Sequence, residues 1–237
     1  MSVAPAAVRN QLTTSGGLTL GYREWGRADG SVVILLHGLG SDADDWSLIG
    51  PGLGRRCRVI ALDARGHGQS DWATSYELSD LRDDVLEAMD ALGVLAAAVV
   101  GHSMGGVVAY LLAATYPDRV RALVLEDMPP PIPADPPREL PLGPEPGETC
   151  DWRAVAMLRT WRNDPEPSWW DFAPDIQART LVVGGAHSDM PQDKLAELSR
   201  LIPRGSFTSL DTGHTVHEER PGEFLAVVVP FLDGAIR

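Results

Sequence analysis

Five stretches of the chain are apolar without interruption, and each ends at glycine or polar residues. They cover residues 31–38, 58–66, 96–103, 120–128 and 180–186. A strand with one face in water alternates apolar and polar residues, whereas a strand buried on both faces is apolar throughout. These stretches therefore predict strands in the interior of a mostly parallel sheet.

Helical patterns separate the predicted strands. Residues 78–93 repeat leucine, valine and methionine at helical spacing, and residues 105–117 are mostly apolar, as in a buried helix. Residues 10–26 differ, because two short strand-like segments flank a Gly-Gly turn and predict an antiparallel hairpin. The whole pattern predicts the α/β class: a mostly parallel, doubly wound sheet with right-handed crossovers and an N-terminal antiparallel hairpin.

Residues 129–175 interrupt this alternation. They hold twelve of the nineteen prolines and four of the seven tryptophans. The prolines exclude a continuous helix or strand over the first half, and the tryptophans of the second half are uncommon in disordered segments. We therefore predict a short inserted cap over the carboxyl edge of the sheet, with a core domain made of residues 1–128 and 176–237.

The cap sequence also supplies candidates for substrate binding. A helix is expected around residues 151–162, and Trp152, Trp161 and Trp169 lie in or near it. Pockets for small molecules are mostly apolar and aromatic. We expect these three tryptophans to line an apolar cleft over Ser103.

The candidate nucleophile is Ser103. It lies in Gly-His-Ser-Met-Gly, residues 101–105, between a predicted strand and a predicted helix. In that context the G-x-S-x-G pattern makes a sharp turn that exposes the serine hydroxyl above the sheet, and the glycines avoid clashes within the turn. The following helix N-terminus favours developing negative charge.

A serine nucleophile needs a base, and His214 is the candidate. It follows the last predicted strand and precedes the C-terminal helix, so its ring can reach over the sheet edge toward Ser103. His217 is interpreted as a packing or capping residue. His37, His67 and His102 flank glycine-rich turns and are interpreted as residues that shape loops.

The base in turn needs a carboxylate to hold its tautomer. Asp189, on the loop after residues 180–186, is the favoured candidate, and Asp127, at the end of the preceding strand, is its rival. Donors for a developing oxyanion are expected from the backbone amides of Leu39 and Met104, because Leu39 lies in the glycine-rich loop after the first buried strand and Met104 follows Ser103.

Composition narrows the class of partner. The chain has 237 residues and a net charge of −13, which argues against binding nucleic acid or an anionic membrane surface. The N-terminus does not resemble a signal peptide, and no apolar stretch reaches the length of a membrane span. The two cysteines, Cys57 and Cys150, form no disulfide framework and have no neighbours typical of a metal site. We therefore expect a cytoplasmic protein that acts on a small molecule.

The sequence resembles the α/β-hydrolase fold superfamily. The segments HGLGSDADDW, DARGHGQS, GHSMGG, GGAHSDMP and GHTVHEERPGEF occur in the order and spacing of that superfamily and span nearly the whole chain. The resemblance implies Ser103 as nucleophile, Asp189 as acid and His214 as base, with the amides of Leu39 and Met104 forming the oxyanion hole. It also implies that residues 129–175 are the variable cap.

The resemblance further implies a serine hydrolase that cleaves an ester, lactone or thioester of a small, mainly apolar substrate. Ser103 counts against dehalogenases and epoxide hydrolases, which carry aspartate at that position. A non-hydrolytic catalyst (a lyase, a cyclase or a cofactor-free perhydrolase) and a small-molecule receptor are the alternatives. No cofactor and no metal are expected, and the sequence does not indicate an oligomeric state.

Overall fold

The computed structural model of the chain describes residues 7–128, 130–144 and 147–234, and these residues form one eight-stranded sheet around which the helices pack. The strands are β1 (Val8–Thr13), β2 (Thr19–Gly26), β3 (Val32–Leu36), β4 (Arg58–Leu62), β5 (Ala97–His102), β6 (Val120–Glu126), β7 (Arg179–Gly185) and β8 (Gly205–Leu210). Their order across the sheet is β1-β2-β4-β3-β5-β6-β7-β8. The strands from β4 to β8 in this order pair in parallel, and β1 and β2 form an antiparallel hairpin, with β2 also antiparallel to β4. The predicted fold class is confirmed.

Seven α-helices lie in the described part of the chain. They are α1 (Gly50–Leu53), α2 (Leu78–Ala91), α3 (Met104–Thr115), α4 (Trp152–Asn163), α5 (Gln192–Leu201), α6 (Val216–Glu219) and α7 (Pro221–Asp233). Three 3-10 helices cover Ala43–Leu48, Pro117–Arg119 and Pro167–Asp175. None of the helices in these described ranges combines the length and apolar character needed to cross a membrane.

Burial of the central strands on both faces explains their continuous apolar sequences. In β5, Val99 packs into the core on one side of the sheet, while Ala98 and Val100 pack into the core on the other side. In β6, Leu123 and Val124 divide between the two faces in the same way. Each face is covered by helices, so the central positions of such a strand are buried and apolar.

Several strands end earlier than their apolar stretches. β6 ends at Glu126, and the next residue, Asp127, has a φ of +40° that no strand can continue. β4 ends at Leu62, and the chain turns through Gly66, whose φ is +73°. These turns lie at the carboxyl edge of the sheet, where loops rather than strands carry the polar side chains.

The segment between β6 and β7 contains no strand among its described residues. It carries α4, which begins after Asp151, and the 3-10 helix Pro167–Asp175. The main chain of Ala134 donates to the carbonyl of Arg162 at 2.7 Å, so the start of the segment is tied to the end of α4. Parts of the predicted domain boundaries, namely residues 1–6, 129, 145–146 and 235–237, lie outside the described residues.

Candidate active site

Ser103 lies in a strained turn between β5 and α3. Its φ is 50° and its ψ is −116°, in a region that residues with a side chain seldom occupy. The Ser103 amide donates to the carbonyl of Glu126 at 3.0 Å, and its carbonyl accepts from the Val107 amide at 3.1 Å. A conformation of this kind costs about 1–3 kcal/mol and persists only where the surrounding structure holds it.

The two flanking glycines are required by close backbone contacts. A Cβ atom on Gly101 would lie 2.3 Å from the carbonyl oxygen of Gly105, and one on Gly105 would lie 2.3 Å from the carbonyl oxygen of Leu36. Both distances are well inside van der Waals contact with backbone that cannot move aside. The glycines of the pattern therefore permit β3, β5 and α3 to approach one another at the turn that carries Ser103.

His214 lies on the loop between β8 and α6, with 35% of its side chain exposed. Its Nδ1 atom is 2.7 Å from Oδ2 of Asp127. Its carbonyl accepts a hydrogen bond from Nε2 of His102 at 3.1 Å, and the two imidazole rings lie 4.8 Å apart. His102 precedes Ser103, so this bond connects the nucleophile turn directly to the loop of the histidine.

The environment of His214 shifts its proton affinity. Burial by itself lowers the pKa of His214, but the hydrogen bond and the negative charge of Asp127 outweigh it and raise the pKa above the usual value of 6.5. Burial lowers the pKa of the neighbouring His102, which therefore stays neutral at pH 7. Neutral His102 can donate from Nε2 to the carbonyl of His214 without adding a positive charge beside it.

Asp127 is completely buried and is the first residue after β6. Its Oδ1 atom accepts from the Gly185 amide at 3.1 Å and from Nε2 of Gln192 at 3.1 Å. Its Oδ2 atom accepts from the hydroxyl of Ser188 and bonds His214. Four hydrogen bonds therefore fix both oxygens of the carboxylate, and three of the donors come from β7, from the loop that follows it or from α5.

The structure corrects the sequence prediction for the acid. Asp189 was expected to bond His214, but its side chain is 62% exposed and pairs with Arg138 at 3.1 Å. Asp189 lies four residues beyond the end of β7, whereas Asp127 follows its strand directly. In the turn after β7 the hydroxyl of Ser188 donates a hydrogen bond to Asp127, and the turn does not bring Asp189 to His214. The contact with His214 belongs to the rival candidate.

The predicted oxyanion donors lie on the two segments that flank Ser103. Met104 begins α3, so helix geometry gives its amide no acceptor within the helix. Leu39 follows β3 and lines the same cavity as Ser103. The amide of Gly105 donates to the carbonyl of His37 at 3.1 Å, which ties the loop after β3 to the start of α3. Nε2 of His37 accepts from the Ala64 amide at 3.0 Å, in keeping with the interpretation of His37 as a residue that shapes a loop.

A cavity of about 400 Å³ opens above Ser103 and His214. Its other side-chain walls come from Leu39, Leu158 and Met190, which are apolar, and from charged residues of the cap and the loop after β7. The charged residues are Arg138, Arg159, Arg162 and Asp189. The sequence analysis did not select the arginines, because they are spaced 21 and 3 residues apart in a segment without a recognisable pattern.

The three candidate tryptophans do not lie where the sequence analysis expected them. Trp161 and Trp169 pack against each other with ring centroids 4.9 Å apart and line a different cavity, together with Leu111 of α3. Trp152 lines neither that cavity nor the one above Ser103. Trp161 is 9% exposed and belongs to the core. The aromatic residues of the cap therefore pack the cap against α3 and do not face Ser103.

A second polar network lies beneath the site. His217 is fully buried, and its amide and Nδ1 both lie 2.8 Å from Oε1 of the buried Glu126. Its ring stacks on Trp46 at 4.2 Å, and its Nε2 atom is 3.6 Å from Asp45. Burial lowers the pKa of His217, but the charge of Glu126 and its bonds to both acids raise it to about 10. The interpretation of His217 as a packing residue is confirmed.

Asp45, His217 and Glu218 place ligand-type atoms within 4.8 Å of one another. A metal requires a neutral imidazole, and the raised pKa keeps His217 protonated at neutral pH. The chemistry of this group favours an ion-pair network over a metal site. Both imidazole nitrogens already face carboxylates.

Comparison with known proteins shows which proteins this chain is similar to. The sequence profile of the alpha/beta hydrolase fold matches residues 31–144. The chain is 40% identical to the non-heme chloroperoxidase of Streptomyces lividans over 124 residues, and 38% identical to the bifunctional esterase/perhydrolase of Acinetobacter calcoaceticus over 129 residues. Each match covers 51% of this chain and 45% of the relative, so the matched part spans less than half the length of these curated relatives.

Similarity of structure extends over the whole chain. The enol-lactonase of Burkholderia xenovorans LB400 superposes with a TM-score of 0.82 at 25% identity, and the match covers 94% of this chain and all of the enol-lactonase chain (100%). The two chains therefore share one overall fold.

Proposed function

We propose that the chain, which has the α/β-hydrolase fold, is a serine hydrolase that cleaves a carboxylic ester, lactone or thioester. Ser103 is the nucleophile, His214 the base and Asp127 the acid that orients it. The reaction uses only groups of the chain, so no cofactor or metal enters the proposal, and the partner is a small-molecule substrate.

The observation that carries the proposal is the convergence of three side chains from three strand ends. Ser103 follows β5, Asp127 follows β6 and His214 follows β8. Ser103 is held in a strained turn, and the buried carboxylate of Asp127 bonds His214 at 2.7 Å. The strained turn and the buried carboxylate both lower the stability of the fold. A catalytic role explains both, because the turn would expose the serine nucleophile and the carboxylate would orient its base.

The proposed chemistry follows from the atoms that these groups present. Nδ1 of His214 keeps its proton because it faces Asp127, which leaves Nε2 free to accept the proton of Ser103 as Oγ attacks the acyl carbon. The amides of Leu39 and Met104 stabilise the oxyanion that forms. When the tetrahedral intermediate collapses, the acyl–oxygen or acyl–sulfur bond breaks, and the leaving group takes the proton from His214. Water then attacks the acyl-serine by the same route and releases the acid.

The test is a panel of p-nitrophenyl esters of graded chain length and several lactones, assayed with the wild-type protein and Ser103→Ala. We expect turnover by the wild type and a loss on the order of 10⁶-fold in Ser103→Ala. A fluorophosphonate should label Ser103 in the wild type and not in the variant. Turnover that survives in purified, folded Ser103→Ala protein would overturn the proposal, and binding of small molecules without turnover or labelling would favour a receptor.

A second activity of the same site, perhydrolysis, is supported by the relative that is named an esterase/perhydrolase. Hydrogen peroxide in place of water would attack the acyl-serine and release a peracid, and Ser103 would recover its proton through His214. The assay measures peracid formed from an ester and hydrogen peroxide. Equal rates of acid release with and without peroxide, and no peracid, would count against this activity.

A further inference from the structure

The cavity above Ser103 is basic, although the chain as a whole is strongly acidic. Its lining contains three arginines of the cap, Arg138, Arg159 and Arg162, and one carboxylate, Asp189. The chain as a whole has 33 acidic residues and 20 basic ones. Positive residues are therefore concentrated where a substrate of the proposed reaction would lie.

Arg162 differs from the arginines that pair with carboxylates elsewhere in the chain. Arg65 pairs with Asp84 at 2.6 Å, and Arg58 pairs with Glu24 at 2.9 Å. Arg162 uses a single nitrogen, Nη1, for main-chain carbonyls, those of Pro130 at 3.3 Å and Ile132 at 3.4 Å. Nε and Nη2 have no acceptor among the described residues, although a guanidinium carries five N–H donors in a planar fork.

The charge of Arg162 is also poorly compensated. Burial and the neighbouring positive charge of Arg138 lower the pKa of Arg162, and Asp189 raises it only in part. Arg58 and Arg65 each pair with a carboxylate at short range, and their pKa values are raised instead. A half-buried cation without its own counter-ion is costly unless a ligand supplies the negative charge.

The cap holds its arginines in place toward this cavity. Arg159 and Arg162 are three residues apart on α4, so they lie on one face of that helix. Arg138 is joined to the end of α4 by two hydrogen bonds with Asn163: its amide donates to Oδ1 at 2.6 Å, and its carbonyl accepts from Nδ2 at 2.8 Å. The three side chains therefore reach the cavity from a single rigid part of the cap.

We propose that the substrate carries a free carboxylate, separate from the ester bond, that binds the guanidinium of Arg162 in the cavity above Ser103. A planar carboxylate matches the two free nitrogens of the fork, and Arg159 and Arg138 add positive charge around it. Leu158 and Met190 contact the aliphatic part between this carboxylate and the scissile bond. This inference rests on the proposed function, and it replaces the expectation of a mainly apolar substrate.

The test compares two substrates of equal size. One is mono-p-nitrophenyl adipate, which has a free carboxylate, and the other is the p-nitrophenyl ester of adipic acid monoamide, which is uncharged. We expect the wild type to prefer the acid by about 10-fold to 100-fold in kcat/KM, as charge-assisted hydrogen bonds allow. Background hydrolysis is subtracted with Ser103→Ala.

The variant Arg162→Gln should lose this preference, because kcat/KM for the acid falls by about 10-fold to 100-fold and kcat/KM for the amide falls by much less. Turnover of the amide reports that the cap and the catalytic groups are intact. Arg162→Lys keeps the charge but not the fork, and it should retain part of the preference. Arg121→Gln, which removes an exposed charge at the opposite end of β6, is the matched control and should behave as the wild type.

The outcomes separate this inference from the proposed function. A wild-type protein that hydrolyses both substrates equally would overturn the inference and leave the hydrolase proposal standing, and so would an equal loss of preference in Arg121→Gln and Arg162→Gln. A protein that hydrolyses neither substrate would be tested for binding of adipate by calorimetry. Binding that Arg162→Gln abolishes would then support the anion site and refute the hydrolase, whereas no binding would overturn both.

Discussion

The substitution Asp127→Asn keeps the shape of the buried side chain and removes its charge. Oδ1 of Asp127 accepts two N–H groups, from Gly185 and Gln192, so the oxygen of the asparagine is held on that side. Its amide group then takes the place of Oδ2 and points a donor at Nδ1 of His214. The imidazole can satisfy that donor only by moving its proton to Nε2.

A proton on Nε2 prevents His214 from accepting the proton of Ser103. The loss of this tautomer costs about 10⁴-fold in turnover in comparable sites, which corresponds to about 5 kcal/mol of transition-state stabilisation. The substitution Asp189→Asn removes an exposed ion pair with Arg138 and should cost about fivefold or less, since such pairs contribute at most about 1 kcal/mol. The two variants therefore differ by about three orders of magnitude in expected kcat.

Both variants should be measured on a neutral ester, so that the arginines of the cavity do not enter the comparison. Circular dichroism and a denaturant titration establish that each variant is folded. If Asp189→Asn is crippled and Asp127→Asn keeps most of its activity, the assignment of the acid is wrong. Asp127→Asn can lose activity through unfolding or through failed catalysis. Fluorophosphonate labelling, normalised to the fraction of protein that is folded, separates the two causes.

Five further outcomes follow from the same geometry. The kcat/KM for a neutral ester should rise with pH through a pKa above 6.5, because the pKa of His214 is raised and its neutral form is the base; a profile flat from about pH 5 to 8 would contradict that role. The substitution His217→Gln should cost about 3–5 kcal/mol in urea unfolding, because it leaves Glu126 buried without its cation. The pKa of His217 is raised to about 10, so its contribution to stability is complete below pH 6.5 and is lost as the pH rises through 10. The free energy of unfolding of the wild type should therefore decline between pH 7 and 10. The free energy of unfolding of His217→Gln should decline less over the same range. Gly105→Ala should abolish turnover or folding, since a Cβ there would lie 2.3 Å from a backbone oxygen. Trp161→Ala should lower the free energy of unfolding by about 3–5 kcal/mol and change kcat/KM by the same factor for all esters.

The parts of the fold that the sequence predicted are those governed by local rules. The central positions of the interior strands β3 to β7 are apolar because both faces are buried, and the turn at Ser103 requires its glycines for local steric reasons. The edge strand β8 gives no such signal. Its residues alternate between partly buried and exposed positions, and it includes Gly205 and Ser206, so only its place before His214 indicated it.

The choice of acid depended on contacts that are distant in the sequence. Asp127 and Asp189 both follow buried strands, and each is compatible with a histidine on the last loop. Ser188 and Gln192 distinguish the two candidates, because they lie 61 and 65 residues after Asp127 and donate hydrogen bonds to its carboxylate. One signal in the sequence did favour Asp127, because it directly follows a strand, whereas Asp189 is separated from β7 by three residues.

The overall acidity of the chain is compatible with the proposed anionic ligand, and the reason is the range over which charges act. At physiological ionic strength the screening length is about 8 Å, so most of the −13 net charge on the surface has little effect inside the cavity. Arg138, Arg159 and Arg162 line that cavity, within contact distance of a bound ligand, and Arg162 is partly removed from water. The nearby arginines therefore outweigh the remote acids, and a carboxylate ligand is compatible with an acidic protein. Salt should then weaken binding of the anionic ester through KM and leave kcat nearly unchanged, while the neutral amide shows neither effect.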